Sequence, residues 1–146
     1  MLHAAQFVAV FCCTVFAGAA LYINLVEHPA RMGCDTRTAA TVWAPSYQRA
    51  TMMQAPLAIL SFVGGAFVWL LGGSVMWLVG AVLIGLVVPF TFIAIMPTNK
   101  QLLVPGRDLG SGETRGLLKK WGRLHAVRTI LGLLASAIYI VQLLRV

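Results

Sequence analysis

The chain has 146 residues, of which 60% are hydrophobic and 10% are charged, and its mean hydropathy is +0.87. This composition excludes an ordinary soluble domain. A spanning helix takes about 20 apolar residues, so the length allows four spans with little left over. The net charge of +7 would suggest nucleic acid in a soluble protein. In a membrane protein it is explained by basic loops that contact anionic headgroups, and we expect a lipid bilayer and no nucleic acid as partner.

Four apolar segments lie at about residues 4–26, 56–71, 75–96 and 117–144. The first carries no Lys or Arg at its start and is too long for a signal-peptide core, so we expect it to be a retained span. Gly72-Gly73-Ser74 is a tight turn that makes the second and third spans an antiparallel hairpin. Pro89 predicts a kink in the third span. The predicted fold is an all-α bundle of four transmembrane helices, with residues 1–146 forming a single domain.

Two polar connections join the spans. The first comprises residues 27–54. Within it, residues 38–54 are long for a loop and rich in helix formers, which predicts an interfacial helical segment between the first and second helices. Residues 97–120 contain a Gly- and Pro-rich centre, which predicts a mobile loop. Most cations lie in these two connections, which share one side of a four-span protein. The positive-inside rule therefore predicts a multi-pass protein with both polar loops cytoplasmic and both termini on the opposite side.

A polar stretch closes the first span. Asn24, Glu27 and His28 are spaced i, i+3 and i+4, so a continuing helix would present all three on one face. Pro29 then ends or kinks the helix. Polar and ionisable groups at the edge of a hydrocarbon core are costly, so other groups in the chain should meet them.

A second polar stripe opens the last span. Trp121 and His125 are spaced i, i+4, and His125 and Arg128 are spaced i, i+3, so all three share one helix face. The topology places this stripe on the same side of the membrane as Asn24, Glu27 and His28. An Arg inside the membrane should have an acidic partner, and Glu27 is the only carboxylate near the required depth. We therefore predict an ion pair between Glu27 and Arg128.

The converging side chains suggest an acid–base site for a flat aromatic molecule. His28 and His125 could serve as general bases, and Arg128 could stabilise a developing phenolate or enolate. Glu27 completes the candidate catalytic group. The residues expected to bind the substrate are Asn24, Trp43, Tyr47, Asn99 and Trp121.

Two alternatives use the same residues. Glu27, His28 and His125 could hold a transition metal through two imidazoles and a carboxylate, although neither HxxxH nor ExxH spacing is present. A haem could lie between His28 and His125 across the bundle. Taken singly, each polar residue also has a structural explanation: Arg128 could snorkel to the interface, His125 could bond another helix, and the aromatic residues could form an interfacial belt. Cys12, Cys13 and Cys34 are interpreted as small buried hydrophobes.

Four stretches resemble a known family. They are residues 22–31 (Tyr-Ile-Asn-Leu-Val-Glu-His-Pro-Ala-Arg), Trp43 with Tyr47, residues 97–103 (Pro-Thr-Asn-Lys-Gln-Leu-Leu) and residues 121–129 (Trp-Gly-Arg-Leu-His-Ala-Val-Arg-Thr). Together they are similar to DUF1772, the anthrone oxygenase-like membrane proteins. The resemblance implies a four-helix membrane bundle and, as in some fungal members, oxidation of anthrones to anthraquinones by dioxygen. It matches the polar motif positions Asn24, Glu27, His28, Asn99, Trp121, His125 and Arg128.

The leading functional prediction is a membrane-embedded oxygenase for an anthrone-, phenol- or quinol-like substrate, a scheme that requires no cofactor. The first alternative is a membrane redox protein that binds haem, a metal or a quinone. The second is a small transporter or assembly subunit, and a transporter of this length would need to form a homo-oligomer to build a path.

Overall fold

The computed structural model describes residues 1–145, which contain helices and no strand. Four helices are long and apolar enough to cross a membrane, as the sequence predicts. We label them α1 (Leu2–Met32), α2 (Thr36–Leu70), α3 (Val75–Leu102) and α4 (Gly112–Leu143). The predicted fold class, an all-α four-helix membrane bundle, is therefore confirmed. The helices imply a lipid bilayer around a multi-pass protein.

The helices extend beyond the apolar spans. The residues predicted to form an interfacial segment are helical and continue without a break into the second span, as α2, with Pro45 and Pro56 inside the helix. Each proline removes one backbone hydrogen bond. If the chain ended the helix inside the membrane, many more backbone groups would lose their hydrogen bonds, so the helix continues through both prolines. Polar caps start the two longest helices: the Asp35 carboxylate accepts from Thr38 N at 3.0 Å, and the Ser111 hydroxyl accepts from Thr114 N at 3.1 Å.

Helices α1 and α3 each contain a π-helical turn, at Ile23–Glu27 and Thr91–Ile95. In both, the N–H that follows the turn bonds a carbonyl five residues back. Pro29 and Pro97 lie two residues beyond these turns. A proline ring crowds the carbonyl four residues before it and offers that carbonyl no N–H, and in both helices this carbonyl belongs to the π turn. The chain therefore widens locally instead of ending, and α1 carries Asn24, Glu27 and His28 into the bundle.

The apolar core has two parts. At the end of the bundle that holds the N-terminus and the α2–α3 turn, small residues let the helices approach closely; a Cβ on Gly64 would lie only 3.0 Å from the backbone nitrogen of Ala9. At the opposite end the core is built around tryptophans. This second cluster contains Ile23, Ala39, Ala40, Trp43, Ile95, Leu102, Leu118 and Trp121, and the polar side chains lie beside it.

Candidate functional site

The structure brings side chains from all four helices to one end of the bundle and buries them there. His125 is 2% exposed, and Asn99 and Gln54 are each 1% exposed. His28 and Arg128 are also buried. Each of these residues stands in a helix that crosses the bilayer. Burial of this many polar groups is costly unless they bond one another or a ligand.

Asn24 joins α1 to α4. Its Nδ2 donates to the carbonyl oxygen of Gly122 at 3.0 Å, and its Oδ1 lies 2.7 Å from Nδ1 of His125. The hydroxyl of Thr129 donates to the same Oδ1. The π turn contains Asn24, so this contact depends on the local widening of α1.

These contacts determine which nitrogen of His125 carries the proton. A backbone carbonyl can only accept, so the Gly122 contact assigns the amide nitrogen of Asn24 and leaves its oxygen facing the imidazole. Nδ1 of His125 must then be the N–H donor. In the neutral ring Nε2 has the free lone pair, and it makes no hydrogen bond within residues 1–145. In its neutral form, His125 therefore presents Nε2 as a proton acceptor held in a defined orientation.

An aromatic row runs beside the two histidines. The indole of Trp121 stacks on His125 with ring centroids 4.9 Å apart and contacts the ring of His28 at 5.2 Å. Trp43 meets the edge of Trp121 at 5.9 Å and stacks in parallel with Tyr47 at 5.1 Å. Flat π surfaces of this kind suit an aromatic ligand.

Arg128 lies near the middle of α4. Its Nη2 donates to Oε1 of Gln54 at 2.9 Å, and its guanidinium carbon lies 5.7 Å from the ring centroid of Phe16. Arg128 and Gln54 line a small cavity of about 90 Å³, together with Tyr47 and mainly apolar residues of α1, α2 and α3.

The predicted ion pair between Glu27 and Arg128 is wrong. The carboxylate of Glu27 accepts from Arg31 one turn along α1 and from the hydroxyl of Ser46 on α2. Arg31 lies at i+4 on the same helix and is itself buried, so it pairs with Glu27 in place of Arg128. The bonds of Glu27 are thus made away from Arg128.

The alternative metal site is not formed. Among residues 1–145 no three His, Cys, Asp or Glu side chains lie close enough to hold a metal, so Glu27, His28 and His125 do not converge as ligands. The haem alternative is not supported by the packing. The indole of Trp121 contacts both imidazoles and so occupies space that a haem between His28 and His125 would need.

Several buried polar atoms have no partner within the described part of the chain. Asn99 leaves both atoms of its amide unbonded, and the indole N–H groups of Trp43 and Trp121 are also without an acceptor. Asn99 stands between Ile95 and Leu102 on α3, both of which belong to the tryptophan cluster. Most buried polar groups in proteins are bonded, so this set indicates a place where a ligand or water is expected.

The structure adds residues that the sequence analysis did not select, above all Gln54 and Thr129. Gln54 is a polar side chain at the start of an apolar span, where the cost of burial is itself a signal of function. Thr129 follows His125 by one helical turn and so shares its face. Arg31 and Ser46 bind Glu27 and were passed over because they lie in a basic, loop-like stretch.

The fold and the site define a polytopic four-helix membrane protein with a polar, aromatic-lined end. The sequence model of the anthrone oxygenase family matches residues 43–138, and the chain belongs to this family. It is 31% identical over 114 residues to the anthrone oxygenase ptaC of Pestalotiopsis fici, covering 67% of this chain and 79% of that protein.

A second relative matches a shorter region. The chain is 39% identical over 62 residues to the anthrone oxygenase tpcL of Aspergillus fumigatus, which is 40% of this chain and 38% of that protein. The alignment thus spans well under half the length of this relative. No solved structure matches the chain.

Proposed function

We propose that this protein is a membrane-embedded oxygenase for a lipophilic hydroxyaromatic substrate of the anthrone, phenol or quinol type. The observation that carries the proposal is the bonding of His125 to Asn24, which holds an unprotonated imidazole nitrogen next to the aromatic row. The names of ptaC and tpcL, both anthrone oxygenases, support the same reaction class.

The reaction for an anthrone balances with dioxygen alone. A base takes one proton from the ring CH₂ group, and the resulting enolate passes an electron to dioxygen. The carbon radical and superoxide combine to a peroxide anion, which takes the proton back from the base and becomes a ring hydroperoxide. Loss of the remaining proton on that carbon with cleavage of the O–O bond gives the quinone carbonyl and releases water. One anthrone and one dioxygen therefore yield one anthraquinone and one water.

Each residue has a role in this scheme. Nε2 of His125 takes the proton, and Asn24 keeps the imidazole in the productive tautomer. Arg128 faces the enolate oxygen and stabilises its charge where the dielectric is low. Trp43, Tyr47, Trp121 and Asn99 contact the flat ring. His28, which touches Trp121, is the second candidate base.

The proposal includes a sidedness for the site. Both basic connections lie at the polar end of the bundle, and positively charged loops stay in the cytoplasm. We therefore place the site at the cytoplasmic interface, with a substrate that arrives through the lipid. Cysteine labelling from outside intact cells, at residue 2 against residue 107, tests this orientation directly.

Turnover by protein in lipid nanodiscs tests the reaction. A dihydroxyanthrone is supplied, and dioxygen uptake and quinone absorbance are recorded together, with protein-free nanodiscs correcting for autoxidation. The wild type should consume one dioxygen per quinone. His125→Ala should lower kcat by about 10²–10⁴-fold, the usual contribution of a general base. His3→Ala, at the opposite end of the bundle, is the matched control. The proposal fails if His28→Ala and His125→Ala both fold and keep full turnover.

A further inference from the structure

The charge balance around Arg128 is incomplete. The chain has four acidic side chains, and each is engaged elsewhere. Glu27 pairs with Arg31, Asp108 with Arg37 and Glu113 with Arg107. Asp35 accepts two bonds from Thr38 at the start of α2. None of the four acids is left to neutralise a guanidinium that is buried in a spanning helix.

The polar groups near Arg128 are also donors without acceptors. The Nε of Arg128 and the Nε2 of Gln54 are buried and make no hydrogen bond within residues 1–145. The two side chains are held together by the 2.9 Å bond from Arg128 Nη2 to Gln54 Oε1. Both line the same cavity, so two N–H groups and one positive charge lack the acceptor that such burial requires.

The size and walls of the cavity restrict what can supply that acceptor. Its volume of about 90 Å³ is smaller than the ~150 Å³ apolar cavity known to bind benzene, so it can admit the oxygen-bearing edge of a ring but not a tricyclic molecule. A wider apolar groove of about 430 Å³ lies beside Leu86, where α3 has a break between Val75–Gly85 and Val87–Phe90. Ala58 and Val88 line both spaces, so the groove adjoins the cavity and lies on the path of a flat ligand that reaches Arg128 from the lipid.

We propose that Arg128 and Gln54 form a binding site for the ionised oxygen of a planar aromatic ligand, a phenolate or enolate, which enters from the lipid through the groove at the break of α3. Gln54 holds the guanidinium fork through its Oε1 and adds its Nε2 as a second donor to the oxygen. The identity of the natural ligand rests on the proposed function, but binding can be measured without turnover.

The test uses 4-nitrophenol, whose phenolate form is coloured, and the neutral isostere 4-nitrotoluene, with protein in nanodiscs of zwitterionic lipid. At a fixed pH, the wild type should raise the phenolate fraction of bound probe above that in protein-free nanodiscs. It should bind the phenolate at least about 10-fold more tightly than nitrotoluene, because a hydrogen bond to a charged group is stronger than a neutral one.

Variants identify the residues responsible. Gln54→Leu should weaken phenolate binding about 10-fold and leave nitrotoluene binding unchanged. Arg128→Gln should abolish the preference for the phenolate, and Arg128→Lys should retain part of it because the charge remains. Arg123→Gln removes an exposed cation from the same helix and is the control. Circular dichroism and size exclusion establish folding, and if Arg128→Gln does not fold, Arg128→Lys and Gln54→Leu decide the outcome.

The inference is overturned if the folded Arg128 and Gln54 variants bind the phenolate as the wild type does, or if Arg123→Gln weakens it equally. Displacement of the probe by an added anionic phospholipid, but not by 2-naphthol, would also overturn it by assigning the site to a lipid headgroup. Phenolate binding without anthrone turnover leaves the site standing and rejects the proposed function. Anthrone turnover, together with phenolate binding that is unchanged in the Arg128 and Gln54 variants, supports the proposed function and rejects the binding site.

Discussion

Asn24 and His125, 101 residues apart in the sequence, are joined by a hydrogen bond of 2.7 Å between Oδ1 and Nδ1. The bond links the π turn of α1 to the middle of α4 and fixes the tautomer of the imidazole. A histidine whose second nitrogen is held in this way is oriented as well as polarised. The contact therefore serves both the packing of two helices and the chemistry proposed for the site.

Replacing Asn24 by Leu should lower kcat without a matching change in KM. The leucine fills a similar volume but cannot accept from Nδ1, so His125 loses its preferred tautomer and orientation. Loss of such a supporting bond typically costs about 10–100-fold. Thr14→Val removes a hydroxyl that bonds only carbonyls of its own helix and should leave turnover unchanged. Equal kcat values for Asn24→Leu and the wild type would remove Asn24 from the mechanism.

The pairing of Glu27 with Arg31 predicts a stability effect. Glu27→Gln should lower the free energy of unfolding by about 1–3 kcal/mol, since Arg31 is buried and loses the charge that faces it. Glu113→Gln, at an exposed carboxylate, should cost about 0–1 kcal/mol. Both are measured by denaturant unfolding in one detergent.

Charge reversal separates the observed pair from the one the sequence suggested. The double change Glu27→Arg with Arg31→Glu should recover part of the stability lost in either single variant. The double change Glu27→Arg with Arg128→Glu should recover none. Rescue by the Glu27–Arg128 double change, but not by the Glu27–Arg31 double change, would contradict the pairing in the structure.

The fold was predictable because hydropathy alone determines it. A chain with four apolar segments and two basic connections can bury its backbone polar groups in a membrane only as helices. The even number of spans also places Asn24 and His125 at one end, whatever their detailed packing. These conclusions depend only on the composition of the segments and on their order along the chain, and both can be read from the sequence.

The contacts of the charged residues were not predictable in the same way. The pairing of Glu27 depends on the rotation of α1 beyond residue 22, which the π turn sets and which an ideal 3.6-residue period misses. Gln54 was not predicted as a site residue, because its role follows from its contact with Arg128, whose Nη2 lies within 3 Å of its Oε1. Distances between helices come from packing, and a single sequence carries no direct signal of them.

Gly122 provides a test of His28 that leaves its ring intact. A Cβ at this position would lie 2.6 Å from Cδ2 and Nε2 of His28, so Gly122→Ala should displace the imidazole from Trp121. If His28 takes part in the reaction, turnover of the folded variant should fall several-fold. Gly116→Ala on the same helix, where a Cβ meets nothing within 4 Å, is the matched control. Unchanged kinetics for Gly122→Ala would leave His125 as the sole candidate base.

Tyr139 fills a gap that two glycines create at the other end of the bundle. Its ring stacks on Trp77 at 5.2 Å, and its hydroxyl donates to the carbonyl of Ser61 at 3.3 Å. A Cβ on Gly65 would lie 1.9 Å from the phenol oxygen, and one on Gly80 would lie 2.5 Å from Cε1. Overpacking of this kind costs about 1–3 kcal/mol, so Gly65→Ala and Gly80→Ala should each lower the unfolding free energy by that amount.

The phenol oxygen makes the two glycines distinguishable. Tyr139→Phe removes the atom nearest to Gly65 but not the ring carbon nearest to Gly80, so it should relieve part of the defect in Gly65→Ala and none of that in Gly80→Ala. Gly18→Ala, where a Cβ would meet nothing within 4 Å, should be neutral or slightly stabilising because alanine favours the helix. Thermal unfolding of the four single variants, and of the two double variants that combine Tyr139→Phe with Gly65→Ala or Gly80→Ala, measures the differences in one detergent. Equal rescue of both alanine variants by Tyr139→Phe would show that the hydroxyl does not determine the fit at Gly65.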